Sequence, residues 1–427
     1  LNFELLTPDF SLQMTHQISF PIDFVRQEFP SLAGDWTFFD NAGGSQTLKR
    51  VVERISEYLL TSDVQLGASY GISQLAGERV ANAAKGVATL INAKSPLEVV
   101  MGSSTTLMIR ILALCISQTW NPGDEVIITN CEHEANIGAW VDLEKQGIKI
   151  KVWKINPETL TLHLDDLKTL LTERTRLVTL THASNILGTI NPIKEITQLA
   201  HYYGAKVCVD GVAYAPHRLI DVQDLDVDFY VLSFYKVYGP HYALLYGKQE
   251  HLLTIPGINH YFIGQSNIPY KFQPGNVNFE LSYGMLGLCD YLSALAQQTY
   301  AEQTASDLRS QMEQAFEAIS IQEEVIGDRF LNYLTSKPNI RIIGQTQANR
   351  AVRVPTISFV VEGMHSEKIP LYVDQYKIGI RFGDFYARRL IEYLGLDQQG
   401  GVVRVSMVHY NTIEEVDRLI QALEDIL

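Results

Sequence analysis

Phe229-Tyr230-Val231-Leu232-Ser233-Phe234-Tyr235-Lys236-Val237-Tyr238-Gly239-Pro240 is the stretch around which this 427-residue chain is organised. The apolar run Phe229 to Leu232 reads as a buried strand. Gly239-Pro240 reads as the turn that ends the segment. Lys236 therefore stands just past a strand's end, and two readings are open there. One is an ordinary solvated loop lysine. The other is an amine that forms a Schiff base with an aldehyde cofactor, a chemistry that needs surroundings that draw its pKa down. The rest of the chain decides between them.

Outward from that stretch, strand-like and helix-like runs alternate. Glu98 to Met101, Glu125 to Thr129, Ile148 to Ile155, Thr175 to His182 and Lys206 to Asp210 read as strands. Leu107 to Ser117, Ala135 to Gln146, Leu164 to Leu171 and Ile193 to Tyr203 read as helices. Units of this length predict a parallel sheet with crossover helices. Such sheets bind ligands at the carboxyl ends of their strands. The suspected functional residues fall at those ends, after Met101, Thr129, Leu180, Val209 and Leu232.

Further out, Thr37 to Asp40 reads as a short strand, and Leu48 to Leu60 and Ser73 to Asn92 as helices. Composition shifts near residue 290. Asp290 to Ala318 reads as one long helix, Arg341 to Ile343, Val354 to Val361 and Val402 to Val408 as strands, and Ile413 to Leu427 as an amphipathic helix. This pattern predicts a separate, smaller α+β domain.

Composition narrows the class. The chain is 46% hydrophobic and 19% charged, with a formal net charge of −14. That acidic balance argues against nucleic acid or an anionic membrane as partner and fits a soluble cytoplasmic enzyme. No apolar run approaches the ~18 residues of a membrane span. Leu1 to Met14 carries Glu4 and Asp9 with no Lys or Arg, so a secretory n-region is not expected there, and Met14 is an alternative start. Cys115, Cys131, Cys208 and Cys289 lack metal-ligand spacing, so no metal site is expected. Cys115, Cys208 and Cys289 read as buried core thiols, and only Cys131 lies near suspected chemistry.

Several residues at the strand ends carry paired readings. Gly102-Ser103-Ser104-Thr105-Thr106 joins a strand to a helix start, as a phosphate cradle or a plain N-cap. His133 is an imidazole that stacks on a ring or moves a proton, or a histidine at a helix start. Asn185 is a hydrogen-bonding amide for a ring hydroxyl or a carboxylate, or a turn former. Asp210 ends the apolar strand Val207-Cys208-Val209-Asp210, where a carboxylate needs a partner. A protonated pyridine nitrogen supplies one; a metal is the other option. Asp210 and Lys236, each at a strand end, form the layout of a pyridoxal-phosphate site, and Ser233 adds a hydroxyl. Arg404, on the strand-like run Val402 to Ser406, is a carboxylate clamp or a salt-bridge arginine.

Five segments carry a resemblance that runs from about Phe38 to Leu427. They are Glu132 to Asn136, Thr181 to Thr189, Val209 to Gly211, Asp226 to Pro240, and Arg404 to Ser406 with His409 to Thr412. The chain resembles the class V aminotransferase family of fold-type I pyridoxal-phosphate enzymes, within its cysteine desulfurase and selenocysteine lyase branch. The resemblance implies an α/β fold with a large domain on a mostly parallel seven-stranded sheet (residues 38–290) and a smaller α+β domain (residues 15–37 and 291–427). It implies pyridoxal 5'-phosphate as cofactor and a small amino acid as substrate. Lys236 would carry the cofactor, Asp210 would pair with the ring nitrogen, and His133 would stack on the ring. Ser104, Thr105 and Ser233 would hold the phosphate. Asn185 and Arg404 would face the substrate carboxylate. It also implies a homodimer with sites at the interface, where Asn276, in Gly275-Asn276-Val277-Asn278, would reach the neighbour's phosphate.

Three departures bear on the reaction. Tyr235 stands where the family's desulfurases have a His before the cofactor lysine. Ala213 stands where they have a Gln after the ring aspartate. Tyr386, in Ile380-Arg381-Phe382-Gly383-Asp384-Phe385-Tyr386-Ala387, stands where they have the nucleophilic cysteine. Without that thiolate, no persulfide forms on the enzyme. The expectation is a C–S (or C–Se) lyase, cysteine desulfurase-like in its binding site. An aminotransferase or epimerase is the alternative within the class, and a catalytically silent cofactor-binding homologue the alternative outside it.

Overall fold

A computed structural model describes residues 19–427. The expectations for Leu1 to Met14, and for residues 15–18 of the small domain, lie outside the described residues. The strands in chain order are β1 (Thr37–Phe38), β2 (Val99–Gly102), β3 (Glu125–Thr129), β4 (Lys149–Trp153), β5 (Thr175–Thr181), β6 (Lys206–Asp210), β7 (Phe229–Ser233) and β8 (Ala243–Gly247). They continue as β9 (Ile340–Ile342), β10 (Thr356–Val361), β11 (Ile378–Gly379), β12 (Arg381–Gly383) and β13 (Val402–Ser406).

Seven of them form the large sheet, in the order β2-β8-β7-β6-β5-β3-β4. All neighbours are parallel except the two pairs made by β8. Both faces of this sheet are covered, which explains the unbroken apolar runs. Along β6 and β7, Val207, Val209, Tyr230 and Leu232 pack into one core, with the helices Gly71–Ile91 and Phe279–Tyr300. Cys208, Phe229 and Val231 pack into the other, with the helices Thr105–Ile116 and Ala135–Val141. The carboxyl ends of β2, β3, β5, β6 and β7 share one edge.

The smaller sheet is antiparallel, in the order β12-β13-β10-β9. Val403 and Val405 enter its core with Phe330 and Leu419, from the helices Leu308–Thr335 and Ile413–Glu424. The two-residue side-chain period of a strand then turns Arg404 to the opposite face. That face meets the loop after β5, where Ser358 Oγ donates to Ile186 O at 2.7 Å.

Two expectations differ from the structure. The helix foreseen over Asp290 to Ala318 is two helices, Phe279–Tyr300 and Leu308–Thr335. The chain breaks at Ala301, whose φ is +49°, and Asp307 Oδ1 caps the second helix by accepting the Ser310 N–H at 3.0 Å. β8 was not foreseen. It follows the Gly239-Pro240 turn and returns antiparallel beside β7, which gives β2 a neighbour.

Candidate active site

A cavity opens at the carboxyl edge of the large sheet. Thr105, His133, Asn185, Asp210, Ser233 and Lys236 line it, with Ser104, Thr181, Ala213 and Tyr235. Five separate strand ends converge there, as the sequence pattern implied.

Lys236 closes a 3-10 turn, Phe234–Lys236, directly after β7. It is only 6% exposed. Among the described residues its Nζ makes no hydrogen bond or ion pair; the Tyr235 ring is centred 5.8 Å away. Burial, and then the Arg404 guanidinium, push its pKa down to about 8, against the pull of Asp210 and Asp40. A substantial fraction of neutral amine is therefore present near neutral pH, as attack on an aldehyde requires.

Asp210 is buried at the tip of β6, and its Oδ1 accepts the Val212 N–H at 2.9 Å. Burial raises its pKa, and the Val212 N–H and Lys236 offset part of that. Among the described residues its other oxygen accepts no hydrogen bond, so the carboxylate needs a cationic partner in the cavity. Its backbone is fixed from behind. A Cβ on Gly211 would lie 2.0 Å from the Tyr230 ring. The Tyr230 hydroxyl pairs with His182 Nδ1 at 2.8 Å, and the His182 ring stacks on Tyr214 at 3.5 Å.

At the other end of the cavity, Thr105 Oγ1 and Ser233 Oγ lie 2.6 Å apart. Both sit at the N-terminus of the helix Thr105–Ile116, where backbone N–H groups favour an anion. Ser104 Oγ accepts the Leu107 N–H at 3.2 Å, so it serves as the N-cap.

His133 follows β3. Burial, then Lys236 and Arg404, push its pKa down to about 4. The imidazole is thus neutral, and its Nδ1 accepts the Ala135 N–H at 3.1 Å, which leaves the ring face for stacking. Glu132 beside it is fully buried. It accepts Thr129 Oγ1–H at 2.6 Å, the Thr181 N–H at 2.9 Å and Asn136 Nδ2–H at 2.8 Å. Those bonds tie the ends of β3 and β5 together. Burial is the main cause that raises the Glu132 pKa to about 7.

Arg404 and Asn185 are close together, but only Asn185 lines the cavity. Arg404 is buried, and donates from Nη2 to Asp40 Oδ1 at 3.0 Å and from Nη1 to Asn185 O at 3.2 Å. Asn185 Nδ2 donates to Phe385 O at 2.9 Å. Asn276 is exposed and lies outside this cavity, with Nδ2 3.5 Å from Gln65 Oε1.

The sequence reading passed over Asp40, Glu132, Tyr230 and Phe385. Asp40 carried a usable signal, an acid that ends the strand-like run Thr37-Phe38-Phe39, as Asp210 ends its own. Phe385 carried none, since its role depends on a contact with a distant strand.

The donor set suits a flat, phosphate-bearing pyridine aldehyde. An unpartnered buried amine faces the cavity, a buried carboxylate has one free oxygen, and a hydroxyl pair at a helix N-terminus stands at the far end. A family model described as Aminotransferase class-V matches residues 37–419. The chain belongs to the class-V aminotransferase family. It is 44% identical over 420 residues to an aminotransferase-like protein, FGM3, of Gibberella zeae, covering 96% of this chain and 99% of that protein. It is 35% identical to a cysteine desulfurase-like protein, ustD, of Aspergillus flavus, covering 95% of this chain and 90% of that one. Among solved structures, the cysteine desulfurase CsdA of Escherichia coli superposes with a TM-score of 0.81 at 26% identity, covering 95% and 98% of the two chains.

As a class-V aminotransferase with this fold, the protein is a pyridoxal-phosphate-dependent enzyme of cysteine desulfurase-like architecture. Among the described residues no helix is long and apolar enough to cross a membrane. All four cysteines of this class-V aminotransferase are buried and none lines the cavity. Tyr386 sits 71% exposed at the cavity mouth, its ring centre 5.2 Å from that of His133.

Proposed function

We propose that the protein is a C–S (or C–Se) lyase that cleaves the β-substituent from a small amino acid without forming a persulfide on itself. One observation carries this reading: the residue over the cavity mouth is Tyr386, and no thiol of the chain reaches the cavity. A sulfur atom in the site therefore leaves on its own rather than by attack from the enzyme.

The bound pyridoxal phosphate supplies an electron sink for charge that develops at the substrate's α-carbon. Lys236 Nζ would hold the cofactor aldehyde. The same amine would take the substrate's α-proton; burial keeps a fraction of it neutral to act as a base. Asp210 would hold a proton on the ring nitrogen, and the neutral His133 imidazole would offer its face to the ring. Thr105, Ser233 and the helix N-terminus hold the phosphate, with the Ser104 hydroxyl capping that helix. Asn185 and Arg404 orient the substrate carboxylate. The C–S bond breaks with its electron pair on sulfur, which leaves as a thiolate and takes up a proton to become a thiol. The remaining carbon skeleton ends as pyruvate and ammonia after water adds.

The working unit in this reading is a homodimer, in which Asn276 reaches the neighbour's phosphate site. Its exposure and its place outside its own chain's cavity support that role. Light scattering of the purified enzyme tests the dimer, and Asn276→Ala is expected to weaken cofactor retention.

The deciding experiment is a panel of cysteine, cystine, cysteine conjugates, selenocysteine and alanine, scored for pyruvate, sulfide or selenide, and alanine. Pyruvate in step with released sulfur or selenium is expected. Alanine accompanied by a protein persulfide would overturn the reading, and so would amino transfer or epimerisation with no sulfur released.

A further inference from the structure

Residues Asp384 to Ala387 form a strap beside the cavity, between β12 and the helix Arg388–Tyr393, in contact with the lining residues Asn185 and His133. Phe385 and Tyr386 both stand in the left-handed region, with φ of +51° and +59°. Aromatic residues rarely adopt that conformation, so contacts must hold them there. Asn185 Nδ2 donates to Phe385 O at 2.9 Å, and the Glu134 N–H donates to Tyr386 O at 2.7 Å. The Tyr386 N–H donates to Asp384 Oδ1 at 3.0 Å. The Phe385 ring lies on Arg404, with the guanidinium carbon 3.7 Å from the ring centre.

That last contact falls on the group proposed to hold the substrate carboxylate. With Nη1 on Asn185 O and Nη2 on Asp40, the outer nitrogens are engaged. The remaining nitrogen, Nε, is buried and has no partner among the described residues. A carboxylate binds a guanidinium in its plane, and here Asn185 O and Asp40 hold in-plane positions while the Phe385 ring covers one face and Arg404 stays buried and does not line the cavity, so it receives no carboxylate bidentately in this arrangement.

We propose that Phe385 is a specificity-determining residue that competes with the substrate carboxylate for Arg404. The proposal rests on the reading of Arg404 as the carboxylate-holding residue. A ligand that brings a carboxylate displaces the ring. Displacement also breaks the Asn185–Phe385 bond and frees the second residue assigned to that carboxylate. It lets two residues leave left-handed φ, which lowers the work of opening. A ligand without a carboxylate gains nothing from moving the strap. The strap thus takes the same factor off the affinity of every amino acid and leaves that of simple amines alone.

The test uses the cofactor-loaded enzyme and two probes, with dissociation constants read from cofactor absorbance. L-Alanine carries amine and carboxylate but no leaving group; ethylamine carries the amine alone. Neither reports on C–S cleavage, so the result does not depend on the reaction catalysed. Phe385→Ala is expected to tighten L-alanine by about 3- to 30-fold, the range of a guanidinium–ring contact, with ethylamine unchanged. Phe385→Leu, which keeps apolar bulk in the strap, is expected to move the same way. Arg404→Lys, which keeps the charge but loses the fork, is expected to weaken L-alanine and spare ethylamine. If Arg404→Lys treats both probes alike, the carboxylate reading of Arg404 fails. If it behaves as expected but neither Phe385 variant tightens L-alanine, the competition alone is overturned.

Discussion

Thr105 Oγ1 and Ser233 Oγ lie 2.6 Å apart and join the helix that follows β2 to the end of β7. Neither hydroxyl has another side-chain partner among the described residues, so each keeps capacity for an anion. Thr105→Val and Ser233→Ala are each expected to weaken pyridoxal phosphate by about 10- to 100-fold, the worth of one hydrogen bond to a charged group. Fluorescence titration of cofactor-free protein measures this. The variants should bind pyridoxal, which lacks the phosphate, as the parent does.

Lys236 has its pKa pushed down to about 8 by burial and by Arg404. Capture of an aldehyde needs the neutral amine. Stopped-flow uptake of pyridoxal phosphate by cofactor-free protein should therefore speed up about tenfold per pH unit below that pKa and level off above it. An inflection left near the ordinary lysine value would contradict the geometry. Lys236→Ala should retain the fold and lose at least about 100-fold in turnover.

Gly211 follows the buried cavity carboxylate of Asp210, and a Cβ there would lie 2.0 Å from the Tyr230 ring. That ring is wholly buried and held by His182, so it has nowhere to retreat. Gly211→Ala is expected to cost about 1–3 kcal/mol of stability, as overpacking of a filled core does. Urea unfolding measures that loss. Because Asp210 is the preceding residue, the cofactor absorption should shift as well.

Asp228 lies buried at the opposite edge of the large sheet. It accepts His201 Nε2 at 2.8 Å, His251 Nε2 at 2.6 Å and the Val207 N–H at 2.8 Å. Burial alone would raise its pKa, but these bonds outweigh that and hold the carboxyl well below the ordinary range. A depressed carboxyl stabilises the fold above its unfolded pKa, about 3.9, and the benefit fades as pH falls toward the folded value. Asp228→Asn should therefore cost about 1.5–3 kcal/mol at pH 6. In urea unfolding, the gap from the parent should hold from pH 6 to 5 and narrow below pH 4.

The ends of β2, β3, β5, β6 and β7 were legible in the sequence because strand runs, turn residues and helix starts are local patterns. Lys236, Asp210, His133, Thr105 and Ser233 each stand within a few residues of such an end. Once the sheet is parallel, its geometry must bring them to one edge. β8 and the break at Ala301 were not legible. A five-residue apolar run and a single left-handed residue are weak signals against their surroundings.

The amino-acid sequence by itself determined the layered fold and the absence of a thiol at Tyr386, and it singled out Lys236 and Asp210 as the candidate pair for the cofactor. These follow from residue identity and short-range periodicity. Only the tertiary structure decided how Arg404 is held. Its partner Asp40 lies 364 residues away in the chain, and its aromatic cover comes from the strap that follows β12. No local pattern encodes such contacts, because they exist only after the small sheet has packed against the large one and carried both segments to the same cavity.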